Sequence, residues 1–138
     1  MIKHEINIKK IIGKSAKGLA IVSQKPICFR SEYNPVTGKV DATHPLSGRT
    51  VANRVLFIPS TKGSSGNSMT IRLMSLEGTA PIALVCLRVD PLAALGCIVN
   101  GIPFVLLEED ENIFEKVTDG DYVEIDAERK KIIVNKKE

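Results

Sequence analysis

The chain has 138 residues, of which 43% are apolar and 25% charged, and its net charge is +3. This balance excludes a disordered chain and predicts a single domain over residues 1–138, without the basic, aromatic-rich surface of a nucleic-acid-binding protein. No run approaches the roughly 20 apolar residues of a membrane span and no signal peptide opens the chain, so we expect a cytoplasmic protein without membrane contacts.

The first third of the chain predicts short strands separated by turns. Partly alternating or continuous apolar residues favour strands at residues 5–12, 18–23 and 26–30. A strong turn follows, in which Pro35 fixes φ and Gly38 permits a left-handed conformation. This part of the chain therefore predicts β structure.

The middle of the chain predicts a strand, a turn and a helix. Residues 55–58 form an apolar run of strand type, and residues 69–77 have helical spacing that ends at Gly78. The helix places Met69, Leu73 and Leu76 on one face, which we expect to lie in the core.

The last part of the chain returns to strands. Residues 81–87 are almost continuously apolar, as in a strand that is covered on both faces. Asp90 and Pro91 predict the start of a short helix that ends at Gly96. The remaining predicted elements are strands at residues 97–99 and 103–107, a short element around residues 112–116, and a hairpin of residues 122–126 and 131–134. Together these elements predict a β-rich, mixed α/β domain.

The Gly/Ser turn, residues 59–68, is the segment that best suits a functional site. It joins a strand to a helix, so its N–H groups and hydroxyls lie where a helix N-terminus favours an anion. We expect Gly63 and Gly66 to permit positive φ or close backbone approach, and Asn67 or Ser68 to cap the helix. The turn lacks the spacing of a phosphate-binding Walker loop and of a G-x-S-x-G nucleophile elbow. From local sequence alone, a turn of this kind is more often an ordinary loop before a capped helix than a catalytic site.

The cysteines and histidines do not form a metal-binding pattern. Cys28, Cys86 and Cys97 have no C-x-x-C spacing, and two of them lie in apolar runs, so we expect buried free thiols. His4 and His44 are too far apart to suggest a metal site, and we expect none in this chain.

Several motifs, in one order along most of the chain, resemble the small, swivelling subunit of the aconitase X group. The motifs are Asn34-Pro35-x-Thr37-Gly38, His44-Pro45-Leu46-x-Gly48, Val55-Leu56-x-Ile58-Pro59-x-x-Lys62-Gly63-Ser64-Ser65-Gly66-x-Ser68, Gly78-x-Ala80-Pro81 and Gly96-Cys97-Ile98-Val99-x-Gly101-Ile102-Pro103. The resemblance implies the swivelling β/β/α barrel-like domain of the aconitase superfamily. It is much more specific than the Gly/Ser turn alone.

The resemblance also implies an activity and a partner. The chain would act with a large subunit that carries a [4Fe-4S] cluster, and the pair would dehydrate (R)-5-phosphomevalonate to trans-anhydromevalonate 5-phosphate in an archaeal mevalonate route to isoprenoids. A second branch of the group dehydrates cis-3-hydroxy-L-proline. The rival hypothesis from another class is a non-catalytic scaffolding domain whose Gly/Ser turn merely binds an anion.

The resemblance assigns roles within the turn. It implies that Ser64 is the general base, with Ser65 as the near alternative. The expected substrate-binding residues are Lys62, Gly63, Gly66, Asn67 and Ser68. In related aconitases an arginine follows Gly-Ser-Ser, whereas Gly66 stands there in this chain. Lys62, Arg72 or the large subunit are then the alternatives for binding the substrate carboxylate.

Overall fold

The strands and helices come from a computed structural model that describes residues 2–63 and 65–137. The strands are β1 (Lys3–Ile12), β2 (Ala16–Val22), β3 (Tyr33–Asn34), β4 (Lys39–Val40), β5 (Val55–Phe57), β6 (Ala83–Cys86), β7 (Phe104–Leu107), β8 (Tyr122–Asp126) and β9 (Lys131–Asn135). The helices are α1 (Phe29–Glu32), α2 (Asn67–Glu77), α3 (Pro91–Val99) and α4 (Ile113–Lys116), with a 3-10 turn at Glu109–Glu111. In the described part of the chain, no helix is long and apolar enough to cross a membrane.

A closed barrel organises these strands in the order β1-β7-β6-β5-β2-β8-β9. Strands β2, β5, β6 and β7 are parallel neighbours, whereas β1, β8 and β9 join the barrel through antiparallel pairs. The hairpin of β3 and β4 lies outside the barrel. The β-rich, mixed α/β class predicted from the sequence is therefore confirmed.

The core has two layers, separated by the parallel half of the barrel. On β5, Val55 and Phe57 belong to the cluster inside the barrel, while Leu56 belongs to the cluster shared with the helices. The same alternation on β6 places Val85 inside and Leu84 outside. Since strand side chains alternate between faces, both faces of these strands are buried. The predicted apolar strand near residues 81–87 is confirmed.

Two predicted strands are wrong. In residues 26–30, Ile27 makes only an isolated bridge to Thr61, and the chain then turns into α1. Residues 97–99 form the last turn of α3, which continues through Gly96. A Cβ on Gly96 would lie 3.1 Å from the Cα of Ser68, so this glycine lets α3 pack closely on α2 rather than ending α3.

The predicted core face of α2 is also wrong. Met69 is 65% exposed and Leu76 is 65% exposed, whereas Ile71 and Met74 are buried. The helix carries apolar residues on two sides, and the side with Ile71 and Met74 packs on the outer layer of the core. An apolar face is thus left exposed on α2.

Asp121 joins the start of β8 to the end of the chain. Its buried carboxylate accepts hydrogen bonds from the N–H groups of Thr118 and Lys137 and from the ammonium of Lys136. Burial raises the pKa of Asp121, but these bonds lower it more, to a net value of about 2. The ionised carboxylate therefore stabilises the folded chain.

Replacing Asp121 by asparagine should reduce the free energy of unfolding at neutral pH by about 2–3 kcal/mol, because the folded pKa lies well below the unfolded value. A depressed pKa stabilises the fold above the unfolded pKa near 4, and this contribution is lost as pH falls toward 2. Urea unfolding at pH 7 and pH 3 measures the difference. A gap between wild type and Asp121→Asn that stays constant over this range would contradict the prediction.

Candidate functional site

The Gly/Ser turn is tied to two neighbouring segments before α2 begins. Thr61 pairs with Ile27, and the N–H of Lys62 donates to the carbonyl of Ile27 at 2.9 Å. The Thr61 hydroxyl donates to the carboxylate of Asp90 at 2.9 Å, and Asp90 also caps α3 through the N–H of Leu92. The first half of the turn is therefore held on both sides.

Asn67 is buried under the second half of the turn and holds it through side-chain hydrogen bonds. It is fully buried, its Nδ2 donates to the Lys62 carbonyl at 2.7 Å, and its Oδ1 accepts from the N–H of Arg30 at 3.1 Å. The Sγ of Cys28 lies 3.5 Å from the same oxygen. A buried amide that uses both ends in this way stabilises the loop that leads into α2.

The buried carboxylate of Glu32 pairs with Lys62, the cation of the turn. Lys62 Nζ lies 3.2 Å from Glu32 Oε1, and Glu32 also accepts the N–H of Cys28 at 2.9 Å. Burial raises the pKa of Glu32, but the hydrogen bonds from Cys28 and Lys62 and the charge of Lys62 lower it further, so its net pKa lies below the usual value. Glu32 is therefore ionised at neutral pH and orients a lysine whose side chain is still 53% exposed.

His44 supports the same region without facing a ligand. Its Nδ1 accepts the N–H of Leu46 at 3.0 Å, so its Nε2 carries the proton and donates to the Pro26 carbonyl at 3.1 Å. The ring is buried and both nitrogens contact backbone. His44 therefore links the loop before Leu46 to the segment that leads into α1.

The predicted site residues differ in their exposure. Ser64 lies outside the described residues. Lys62, Gly63 and Ser65 are exposed, and Ser68 is partly exposed. With Asn67 buried beneath them, the exposed groups form a polar surface at the N-terminus of α2.

The predictions about capping and glycine conformation need correction. Gly66, rather than Asn67 or Ser68, is the N-cap of α2, and as a glycine it has no side chain of its own with which to cap the helix. Gly66 has a φ of −80°, and Gly63 is not among the residues with positive φ. The close approach expected at Gly66 is present, but it comes from the side chain of Arg30.

Sequence reasoning missed Glu32 and Arg30 at this site. Both lie on α1, about 30 residues before the turn, in a segment that the sequence predicts as a strand or leaves unassigned. Their contacts depend on the fold, and no local pattern marks them. Arg72, which was an alternative for carboxylate binding, instead donates to Asn100 Oδ1 at 3.2 Å.

The thiols are buried, as expected from the sequence. Cys28, Cys86 and Cys97 are free and buried, and burial raises the pKa of Cys97 to about 12. Among the described residues, no group of three or more His, Cys, Asp or Glu side chains is arranged to hold a metal ion. Residues 2–63 and 65–137 therefore offer no ligand set for an iron–sulfur cluster.

The geometry of the turn suits a negatively charged oxygen. Ser65 is exposed one residue before the N-cap of an 11-residue helix, and the same turn carries the ammonium of Lys62, which Glu32 orients. Both features stabilise an alkoxide or a bound carboxylate, because each supplies positive charge without having to reorganise.

The profile of the Aconitase X swivel domain family matches residues 5–134. The curated protein named phosphomevalonate dehydratase small subunit from Methanothermobacter thermautotrophicus is 38% identical over 129 residues, which cover 93% of this chain and 98% of that protein. The protein of the same name from Methanothrix thermoacetophila is 35% identical over 131 residues, covering 94% of each chain.

A solved structure shows the same fold. The crystal structure of Thermococcus kodakaraensis aconitase X in its holo form superimposes with a TM-score of 0.86 at 30% sequence identity. The match covers 96% of this chain and 99% of the other. The barrel, the helices beside it and the turn before α2 therefore belong to one extended similarity.

Proposed function

We propose, because the chain belongs to the aconitase X swivel-domain family, that it is the small subunit of an iron–sulfur hydro-lyase. The pair dehydrates (R)-5-phosphomevalonate to trans-anhydromevalonate 5-phosphate in the archaeal mevalonate pathway of isoprenoid biosynthesis. The observation that carries this proposal is the similarity, over almost the full length of both chains, to proteins named phosphomevalonate dehydratase small subunit. Residues 1–138 form one swivelling domain in this proposal.

The Gly/Ser turn supplies the base. Dehydration removes a proton from the carbon next to the substrate carboxylate and a hydroxide from the following carbon. Ser64, with Ser65 as the near alternative, takes this proton. A serine is a weak base in water, so its alkoxide needs the positive end of α2 and the ammonium of Lys62. Gly63, Gly66, Asn67 and Ser68 complete the substrate-binding turn in this proposal.

The large subunit supplies what this chain lacks. The described residues do not offer a ligand set for a cluster, and the thiols are buried. We therefore assign the [4Fe-4S] cluster and the departure of the hydroxide to the large subunit. The small chain alone is then inactive.

An exposed apolar face beside the turn supports the presence of this partner. On α2, Met69 and Leu73 are exposed within two turns of the N-cap, and on the adjacent α3, Leu95 and Val99 are exposed. Large apolar side chains grouped on a surface mark contact sites. Because this face continues directly from the turn, a large subunit that closes over the substrate also covers Met69.

An anaerobic assay of the co-expressed subunits tests the function. We expect the complex to dehydrate phosphomevalonate, and each subunit alone to give no turnover above the uncatalysed rate. Turnover of cis-3-hydroxy-L-proline instead would place the chain in the second branch of the family. A lone chain that binds phosphate and never associates with a large subunit would favour the scaffolding alternative and contradict the proposal.

A further inference from the structure

The side chain of Arg30 lies directly across Gly66. A Cβ built on Gly66 would sit 2.3 Å from Cδ and 2.9 Å from Nε of Arg30, well inside van der Waals contact. Any other residue at position 66 would therefore displace this arginine. Gly66 has an ordinary φ of −80°, so the backbone itself does not require glycine there. The contact with Arg30 explains the glycine.

The backbone of Arg30 is held in place as well. Its backbone N–H donates a hydrogen bond to Oδ1 of the buried Asn67 at 3.1 Å. The preceding residue, Phe29, is buried and packs edge-on against Tyr33, with ring centroids 6.3 Å apart. The arginine therefore reaches the turn from the short helix α1, and its stem rests on Gly66, the N-cap of α2.

The guanidinium of Arg30 differs from neighbouring cations in its contacts. Lys62 is paired with Glu32, and Arg72 is bonded to Asn100. Within residues 2–63 and 65–137, no ion pair or hydrogen bond involves the guanidinium of Arg30, although it is exposed beside the turn. The backbone and the aliphatic part of this arginine are held in place, while its planar guanidinium keeps its N–H donors available. Such a group suits bidentate binding of a carboxylate or phosphate.

We propose that Arg30 is a substrate-binding residue that takes the carboxylate next to the carbon from which the proton is removed. This assignment rests on the proposed function. Phosphomevalonate has two anionic groups, but only the carboxylate is one bond from the reacting carbon, while the phosphate lies at the other end of the molecule. As the proton leaves to the serine, its electron pair forms the new double bond and the C–O bond breaks. Negative charge that develops at the reacting carbon spreads onto this carboxylate, where the guanidinium stabilises it.

Kinetics of the assembled complex test the role of Arg30. Arg30→Gln should raise KM for phosphomevalonate or lower kcat/KM by about 10- to 100-fold, and Arg30→Lys should recover part of the loss. Arg129→Gln, in the exposed turn between β8 and β9, is the matched control and should behave as wild type. Non-phosphorylated mevalonate and inorganic phosphate serve as separate inhibitors. We expect Arg30→Gln to weaken inhibition by mevalonate and to leave inhibition by phosphate unchanged.

A double-mutant cycle tests the placement of Arg30. Gly66→Ala alone should mimic Arg30→Gln, because the methyl group displaces the arginine stem. In an Arg30→Ala background the same substitution should have little further effect, since the clash is gone. Unchanged kinetics in Arg30→Gln, or loss of phosphate inhibition in place of mevalonate inhibition, would overturn the inference. An inactive wild-type complex would instead count against the proposed function.

Discussion

Replacing Ser64 by alanine is expected to lower the turnover of the assembled dehydratase by about 10²–10⁴-fold, the usual contribution of a general base. In the sequence this position lies between Gly63 and Ser65, both of which are exposed, in the turn that contains Lys62 and precedes α2. The cost in stability should not exceed about 1 kcal/mol, the value of a lost hydroxyl cap. Turnover and thermal melting of the same variant separate the two effects.

Two further serine variants decide between the alternatives. Ser65→Ala should keep most of the turnover if Ser64 is the base, and full loss in Ser65→Ala with retention in Ser64→Ala would transfer the role to Ser65. Ser75→Ala, two turns further along α2, is the matched control and should match wild type in turnover. If both turn variants retain turnover, the turn is structural and the proposed mechanism is wrong.

The strands of the barrel were predictable because their burial leaves a clear pattern. Continuous apolar runs mark β5 and β6, whose two faces lie in different layers of the core. Local chemistry also located several boundaries. Asp90 caps α3 through the N–H of Leu92, and Gly78 ends α2 with a φ of 76°. In each case the signal lies within a few neighbouring residues.

The packing of the helices was not predictable in the same way. Helix α2 has apolar residues on two sides, and only the position of the sheet decides that Ile71 is buried while Leu73 is exposed. Gly96 resembles a helix stop in sequence, yet its role is set by the nearby backbone of Ser68, 28 residues earlier. The residue pattern of one helix does not show which other element that helix packs against.

The candidate site, too, was predictable only where its signal is local in the sequence. The Gly/Ser turn and the family motifs mark its position, but the groups that orient it come from α1. Glu32 reaches Lys62, and Arg30 crosses Gly66, over sequence separations of 30 and more residues. The absence of an arginine after Gly-Ser-Ser is visible in the sequence. The structure adds that an arginine from another segment occupies the space above that glycine.

Replacing Asn67 by leucine, a residue of similar size, is expected to cost about 2–6 kcal/mol of unfolding free energy. The substitution leaves the N–H of Arg30 and the carbonyl of Lys62 without their partner, and each unsatisfied buried group costs about 1–3 kcal/mol. Turnover should fall as well, because the same two bonds place the lysine of the turn and the arginine above it. Urea unfolding of the full chain and turnover of the complex measure the two losses.

Asn7→Leu provides the control for this prediction, since Asn7 lies exposed on β1, far from the turn in sequence. Surface substitutions of that kind usually change stability by less than about 0.5 kcal/mol. Equal unfolding free energies for the two leucine variants would show that the amide of Asn67 does not hold the turn. Loss of stability with full turnover would separate the fold of the turn from its chemistry. Loss of both is the expected outcome, because one buried amide connects the Gly/Ser turn to the helix that carries Arg30 and Glu32.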